Sequence, residues 1–260
     1  MKDQLKAEIK SILLECLEKK IQNYDFSKKS GNPFIDIIFG DLSNLKSFIH
    51  STATTLGDKY EIIARKIAES NPNFAEVKKY SLHGNISDNE KSMITDIVKD
   101  LEEDKKGSDY DKEIEKIYSS KNNGIKPTKI IIDLYLKDKK GKEYYIEMKG
   151  PDPNKKEVRA AKADLLNVVA IKKKEIPFQE FRNKVAIIFA VYYNNKKGKY
   201  SNWKVSPMFE NKKGMLIQEE FWEFIGGPGT YLDLLEIIQE TRKEISPKIK
   251  EKLKTISQYS

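Results

Sequence analysis

The sequence predicts an α/β fold of the α+β kind: a central mixed β-sheet flanked by helices, with helical additions at the N- and C-terminal ends. Three observations lead there. Short Ile- and Leu-rich segments bounded by turn residues read as strands between 129 and 193, and apolar residues at helical spacing dominate both ends of the chain. The order strand, strand, helix, strand is that of a hairpin feeding a helix that crosses over to a further strand.

Leu5, Ile9, Ile12, Leu13, Cys16 and Leu17 recur at the spacing of one helical face, and Asp3 stands before them as an N-cap. Ser30-Gly31-Asn32-Pro33 breaks that pattern. Leu42, Leu45, Phe48 and Ile49 predict a helical stretch toward Thr55, and a third helix follows Gly57, burying Tyr60, Ile63, Ala64 and Ile67. From Asp100 to Glu115 mixed charge crowds around Gly107, and Asn122-Asn123-Gly124 signals a turn, so a charged, solvated helical insertion is expected near 70–125.

Lys129 to Lys137 and Glu143 to Lys149 read as two strands joined by Asp138-Lys139-Lys140-Gly141. Asn154 with Glu157 three residues on forms a capping box, and Val158, Ala161, Leu165 and Val168 carry one helical face onward. Val185 to Tyr193 is a continuous apolar run, as in a strand covered on both faces. Gly226-Gly227-Pro228-Gly229 then precedes two closing helices. The whole chain, 1–260, is expected to form a single domain: a helical part over 1–56, a core over 57–206 that holds the insertion, and a C-terminal helical part over 207–260.

A chain of 260 residues can bury a substantial core, and 48 Lys+Arg against 40 Asp+Glu leave a net charge of +8. That balance suits an anionic polymer or a membrane surface as partner. The single Cys16 excludes an internal disulfide and a cysteine-rich zinc site. No apolar run approaches the roughly 20 residues that span a bilayer, and Met1 to Lys10 lacks a signal-like stretch, so a soluble, cytoplasmic protein is expected, with no membrane partner. His50 and His83, the only histidines, lack the context of an HNH or paired-His phosphodiesterase, and His50 is expected to cap or pack. The glycines near Gly226 lack the Lys-Ser/Thr ending of a phosphate-binding loop.

The chemistry is concentrated in the hairpin. Side chains alternate along a strand, so Ile130, Ile132, Leu134 and Leu136 point one way and Asp133 the other, while Glu147 and Lys149 oppose Tyr144, Ile146 and Met148. With Lys139-Lys140-Gly141 as the loop and Gly141 left-handed, Asp133 lies across from Glu147 at about 5 Å between Cα atoms. Paired carboxylates are tolerated when a cation lies between them or when one keeps its proton. A hard ion such as Mg²⁺ suits this oxygen-rich setting, lowering the pKa of a bound water and steadying charge on a phosphate. Lys149, on the same face, is placed to orient or help deprotonate that water and to offset negative charge. In a chain that is 34% charged the same pattern also describes an ordinary exposed hairpin held by cross-strand pairs. The Ile-rich strand around the acid and the basic helix just beyond favour a hydrolytic site.

Ile132-Asp133 followed by Glu147-Met148-Lys149 resembles the PD-(D/E)xK signature of restriction-enzyme-like nucleases, with Ile132 in place of the motif's proline. Leu56-Gly57-Asp58-Lys59-Tyr60-Glu61-Ile62-Ile63-Ala64 resembles the first core helix of that superfamily, where a Gly precedes a Glu by one turn. The resemblance implies a restriction-endonuclease-like core and makes Glu61 a third metal-site carboxylate beside Asp133 and Glu147. The chain is also similar to Type II restriction endonucleases of the TdeIII-like family over Asn32-Pro33-Phe34, Phe39-Gly40, His50-Ser51 through Leu56-Gly57 to Glu61, and Glu147-Met148-Lys149-Gly150-Pro151. That likeness implies Mg²⁺-dependent cleavage of both strands of duplex DNA by a homodimer at a short palindrome, of the GGNCC type. A cognate DNA methyltransferase would complete the restriction-modification system.

Lys155, Lys156, Arg159 and Lys162 follow the hairpin and are candidates for phosphate contact; Lys172, Lys173 and Lys174 extend the charge at the far end of the same helix, where a purely structural role with the helix dipole fits equally. Aromatic, amide and basic groups interleave from Tyr192 to Trp203, and Asn194, Asn195 and Lys196 are the candidates there for DNA recognition, although the same composition also describes an ordinary polar hairpin. Two other readings fit the same residues: a junction or repair nuclease without sequence preference, and a non-catalytic basic DNA-binding module.

Overall fold

The computed structural model describes residues 1–25, 41–103, 107–121, 124–195 and 198–257. The Asn32-Pro33-Phe34 and Phe39-Gly40 segments, Lys196, and the Asn122-Asn123 part of the expected turn lie outside them. The chain divides into two compact units, one of residues 1–63 with 229–260 and one of residues 64–228.

The first unit is helical. Helix α1 (Asp3–Asn23) buries Ile9, Leu13, Cys16 and Ile21, the stripe read from the sequence carried on to a further turn. Its cap is Lys2, without a side-chain hydrogen bond, so Asp3 is a first-turn acid rather than the expected N-cap. There it still favours the positive end of the helix dipole. Helix α2 (Asp41–Ser70), whose residues from Ala64 onward belong to the second unit, is one continuous helix where two were expected; Gly57 is carried within it and does not end it. The cost of one helix-interior glycine, about 1 kcal/mol, is small beside the burial of Ile63, Ala64 and Ile67 just downstream. His50 is exposed within α2, neither a cap nor part of the packing.

A single closing helix, α8 (Thr230–Ser257), follows Gly229 where two were expected, and it contains Pro247. It packs along α1. Ile21, Phe48 and Ile245 form a small cluster with Leu14, Leu17, Leu45 and Ile249 around them. Lys6 to Asp233 at 2.5 Å and Lys10 to Glu244 at 2.8 Å tie the two helices along one edge.

The second unit holds a five-stranded sheet in the order β1-β2-β3-β4-β5. Strands β1 (Phe74–Ser87), β2 (Ile125–Asp138) and β3 (Glu143–Lys149) pair antiparallel in succession, and β4 (Val185–Val191) adds parallel to β3 and β5 (Met215–Ile217) parallel to β4. This mixed sheet flanked by helices is the architecture the sequence predicts. Between β1 and β2 come α3 (Asp88–Glu102) and α4 (Tyr110–Ser119). The region near 70–125 is therefore no mere solvated insertion: it supplies an edge strand and two helices whose Ile94, Ile97, Ile114 and Ile117 enter the main core.

The crossover from β3 to β4 is made by α5 (Lys155–Lys172) and α6 (Phe178–Lys184). Asn154 and Glu157 form the expected reciprocal capping box at the start of α5. Val158, Ala161, Leu165 and Val168 face the core with Phe181 and Phe189. A Cβ on Gly84 would lie 2.5 Å from Cγ2 of Ile171, so α5 approaches β1 as closely as it does because residue 84 has no side chain. Helix α7 (Glu219–Gly226) completes the unit. Among the described residues, no helix is long and apolar enough to cross a membrane.

The turn between β2 and β3 takes the expected form. Asp138 N donates to Lys142 O, Gly141 N donates to Asp138 O, and Gly141 has φ +88°. The alternation along β2, by contrast, is broken. Its pairing with β1 steps from Lys78–Tyr135 to Tyr80–Ile132, leaving an extra residue at Asp133-Leu134. Such a bulge re-aims the side chains on either side of it. Ile130, Ile132 and Tyr135 accordingly share one core cluster, although strict alternation would place Tyr135 opposite the first two. The second face of the hairpin is not an open charged surface either: Tyr135 and Tyr145 are buried in it.

Candidate active site

The pairing of β2 with β3 runs from Lys137–Glu143 to Leu134–Ile146, and the next residue on each strand is Asp133 and Glu147. Both acids are buried, at 9% and 5% exposure. Asp133 Oδ2 accepts from the backbone N–H of Met148 at 2.9 Å and from Lys149 Nζ at 3.3 Å. Lys149 Nζ also donates to Met148 O at 3.1 Å and reaches Glu147 Oε2 at 3.5 Å. From α2, the Arg65 guanidinium donates to the carbonyl oxygen of Asp133 at 3.3 Å. The bulge thus brings the Asp133 carboxylate over the end of β3, where one lysine lies within reach of both acids.

The charges are not balanced. Burial, with the adjacent Asp133 adding to it, pushes the Glu147 carboxyl up to about 8, against the pull of Lys149. Its Oε1 is buried and accepts no hydrogen bond. Burial alone would lower the Lys149 ammonium, but Asp133 and Glu147 outweigh it and hold the pKa above the ordinary lysine value. A buried carboxylate oxygen without a donor, beside a second carboxylate, is what a hard divalent cation satisfies. Asp133 and Glu147 could therefore hold a metal ion.

Glu61 is half-buried on α2. Among the described residues no three His, Cys, Asp or Glu side chains gather closely enough to hold a metal. Asp164 on α5 is an acid the sequence analysis missed. Burial raises its carboxyl, Lys149 pulls it down and Asp133 adds to the rise, so it shares the field of the site. It interrupts the apolar stripe of Ala161, Leu165 and Val168, and an acid set in such a stripe is the signal that could have found it.

Of the expected DNA contacts, Lys155 and Lys156 are exposed at the start of α5. Arg159 is exposed and pairs with Glu102 at 3.4 Å. Lys162 is only 3% exposed and is held by Glu113 at 2.5 Å and Ser108 at 3.3 Å, so it stands inside the core rather than beside Lys155 and Lys156. Asn194 is drawn into its loop, its backbone N–H donating to Gln218 Oε1 and its Nδ2 to Gly198 O, each at 2.8 Å. Asn195 is exposed.

Two buried carboxylates and a lysine on neighbouring strands of a mixed sheet form a candidate hydrolytic site, and comparison with known proteins gives the class of the chain. A family model described as "Type II restriction endonuclease, HinfI" matches residues 1–242. The Type II restriction enzymes HgiEI, HgiCII and HgiBI of Herpetosiphon aurantiacus are each 28% identical over 224 residues, covering 84% of this chain and 79% of theirs. The chain belongs to the HinfI family of Type II restriction endonucleases, where the sequence analysis pointed to TdeIII-like enzymes. Membership implies a nuclease, a hydrolase whose substrate is DNA.

Proposed function

We propose that this chain is a Mg²⁺-dependent endonuclease of the PD-(D/E)xK type that cuts both strands of duplex DNA at a short specific site. The observation that carries the reading is the buried pair Asp133 and Glu147, one oxygen of which lacks any donor, with Lys149 reaching both. These two acids would hold the cation. Bound Mg²⁺ supplies an acidified water and neutralises charge at the scissile phosphate.

Lys149 does the rest from the protein side. Kept protonated by its two acids, its ammonium offers donors to the attacking water and to the phosphate oxygens on which charge builds. That favours orientation and charge offset over deprotonation of the water. Glu61 is a candidate ligand through the family motif alone. Lys155 and Lys156 contact phosphates, and the whole chain, with its core in 57–206, acts as one endonuclease.

Cutting two strands takes two such sites, hence two copies about a two-fold axis reading a palindrome, of the GGNCC type by resemblance. A cognate methyltransferase in the same cytoplasm protects the host's own sites. The test is purified protein on unmethylated phage DNA with and without Mg²⁺, beside Lys149→Ala. Discrete Mg²⁺-dependent fragments lost in the variant are expected, and intact DNA across divalent metals and salt concentrations overturns the reading.

A further inference from the structure

Trp203 is 70% exposed, the most exposed of the large hydrophobic side chains among the described residues. A single exposed apolar residue needs no explanation in itself. Here, however, the exposure is enforced by what surrounds it. Tyr200 Oη donates to Pro151 O at 3.0 Å, and Asn202 Nδ2 donates to Pro151 O and to Asp152 Oδ1, each at 3.1 Å. Asn202 Oδ1 accepts from Lys204 N at 2.9 Å, and Lys204 Nζ pairs with Asp152 at 2.6 Å. Tyr200 and Asn202 are buried at 7% and 8% exposure. The turn is thus clamped on both sides of an indole that stands outward.

The clamp grips a particular place. Pro151 and Asp152 begin two residues after Lys149, in the loop that leads from β3 to α5. Across that loop the Lys155 ammonium lies 4.8 Å from the centroid of the Trp203 ring. Asp152 is matched by Lys204 and Glu157 is engaged in the capping box with Asn154, while Lys155 and Lys156 add exposed positive charge beside the indole.

We propose that Trp203 and Lys155 form a DNA-contact surface on the flank of the active site, the indole lying against deoxyribose and base edges and the ammonium on a phosphate. This rests on the nuclease reading for its substrate. An aromatic plane beside a backbone-binding cation is the pairing that nucleic-acid surfaces use, since a base offers a flat apolar face and the strand offers charge. The bonds from Tyr200 and Asn202 tie the turn to Pro151 and Asp152, in the loop that directly follows Lys149, so contact there bears on how the strand lies near the acids.

The chain has two tryptophans, and Trp222 is buried at 1% exposure, so Trp203 carries the solvent-quenchable fluorescence. Wild-type protein, Trp203→Phe, Trp203→Ala and Lys155→Ala would be titrated against end-labelled sheared unmethylated phage DNA, with Ca²⁺ in place of Mg²⁺ and binding read from gel shift of the label, while acrylamide quenching of Trp203 is followed in the wild type and Lys155→Ala. DNA should shield the Trp203 signal. Trp203→Ala should weaken binding about 5- to 100-fold with partial recovery in Trp203→Phe, and Lys155→Ala should reduce the slope of log affinity against log salt by about one. Mg²⁺-dependent cutting with Trp203 still fully quenchable overturns the proposal and leaves the nuclease reading standing. Shielding without any cutting does the reverse. Shielding that follows protein concentration without DNA assigns the surface to a second copy of the chain and also overturns it.

Discussion

Glu147 is costly to the fold as it stands. A carboxyl whose pKa is raised is favoured in its neutral form, so its ionisation removes stability as pH climbs from the ordinary glutamate range through about 8. Its donorless oxygen adds the penalty of a buried unsatisfied group, about 1–3 kcal/mol. Glu147→Gln should therefore melt a few degrees above wild type at pH 8 in EDTA, since 1 kcal/mol corresponds to roughly 2–4 °C in a chain of this size. The same variant should not cut DNA. A melting point unchanged or lowered in EDTA would mean that the site is not strained without metal. Asp133, Glu147 and Lys149 were legible because a hairpin with a defined loop fixes which residues meet. Lys162 was not, because helical spacing assigns a lysine to the solvent side and says nothing of a Glu113 arriving from another helix. Lys162→Met keeps much of its volume but leaves the Glu113 carboxylate buried without its partner, a loss of about 3–5 kcal/mol. Lys162→Met with Glu113→Leu should recover much of it in the same urea titration; a single-variant loss below 1 kcal/mol would place the pair in contact with water.

Element by element, the packing of α5 on the sheet sets the site's frame, and two of its contacts can be probed. Glu90, in the capping box at the start of α3, also takes the Lys173 ammonium from the end of α5 at 2.7 Å. Burial raises the Glu90 carboxyl, but Lys173 and the Ser87 N–H outweigh it and leave the pKa lowered. A carboxyl lowered by folding contributes stability above its unfolded pKa and loses it as pH falls through the folded value. Wild type should thus lose melting temperature on acidification below the usual glutamate range with a slope that Glu90→Gln lacks, and parallel slopes would refute the assignment. At the other contact, Gly84→Ala should cost about 1–3 kcal/mol by overpacking against Ile171, and Ile171→Ala, which removes the Cγ atoms a new Cβ would meet, should cost less in that background than in the wild type in denaturant melts. Full stability in the single variant would show that α5 yields. These elements differed in legibility. The Asn154 box and the crossover were plain because cap chemistry and continuous apolar runs are local signals. Strand β1 was hidden because its exposed side carries Lys79, Ser81, His83 and Asn85, which reads as a polar loop when its partner strand is 38 or more residues away. The bulge at Asp133-Leu134 left no mark in the composition.

At the scale of the whole molecule the net charge of +8 bears on every encounter with DNA. Binding of duplex lacking a cut site, measured with Ca²⁺ in place of Mg²⁺, should fall by orders of magnitude between about 50 and 200 mM salt, as counterion release requires. A flat dependence would mean that the excess lysines face away from the substrate. The division into two units was not legible, because the first joins residues 1–63 to 229–260 and no local pattern announces a partner so distant. That pairing also has a consequence in time. Helix α1 leaves the ribosome with Ile9, Leu13, Cys16 and Ile21 along one side, and the helix it packs on begins at Thr230. At about 5–20 residues per second the wait is on the order of 10–40 s. Throughout it the nascent chain lacks the cover that this helix gives the stripe, a natural hold for a chaperone, and the first unit can close only once the helix from Thr230 has emerged.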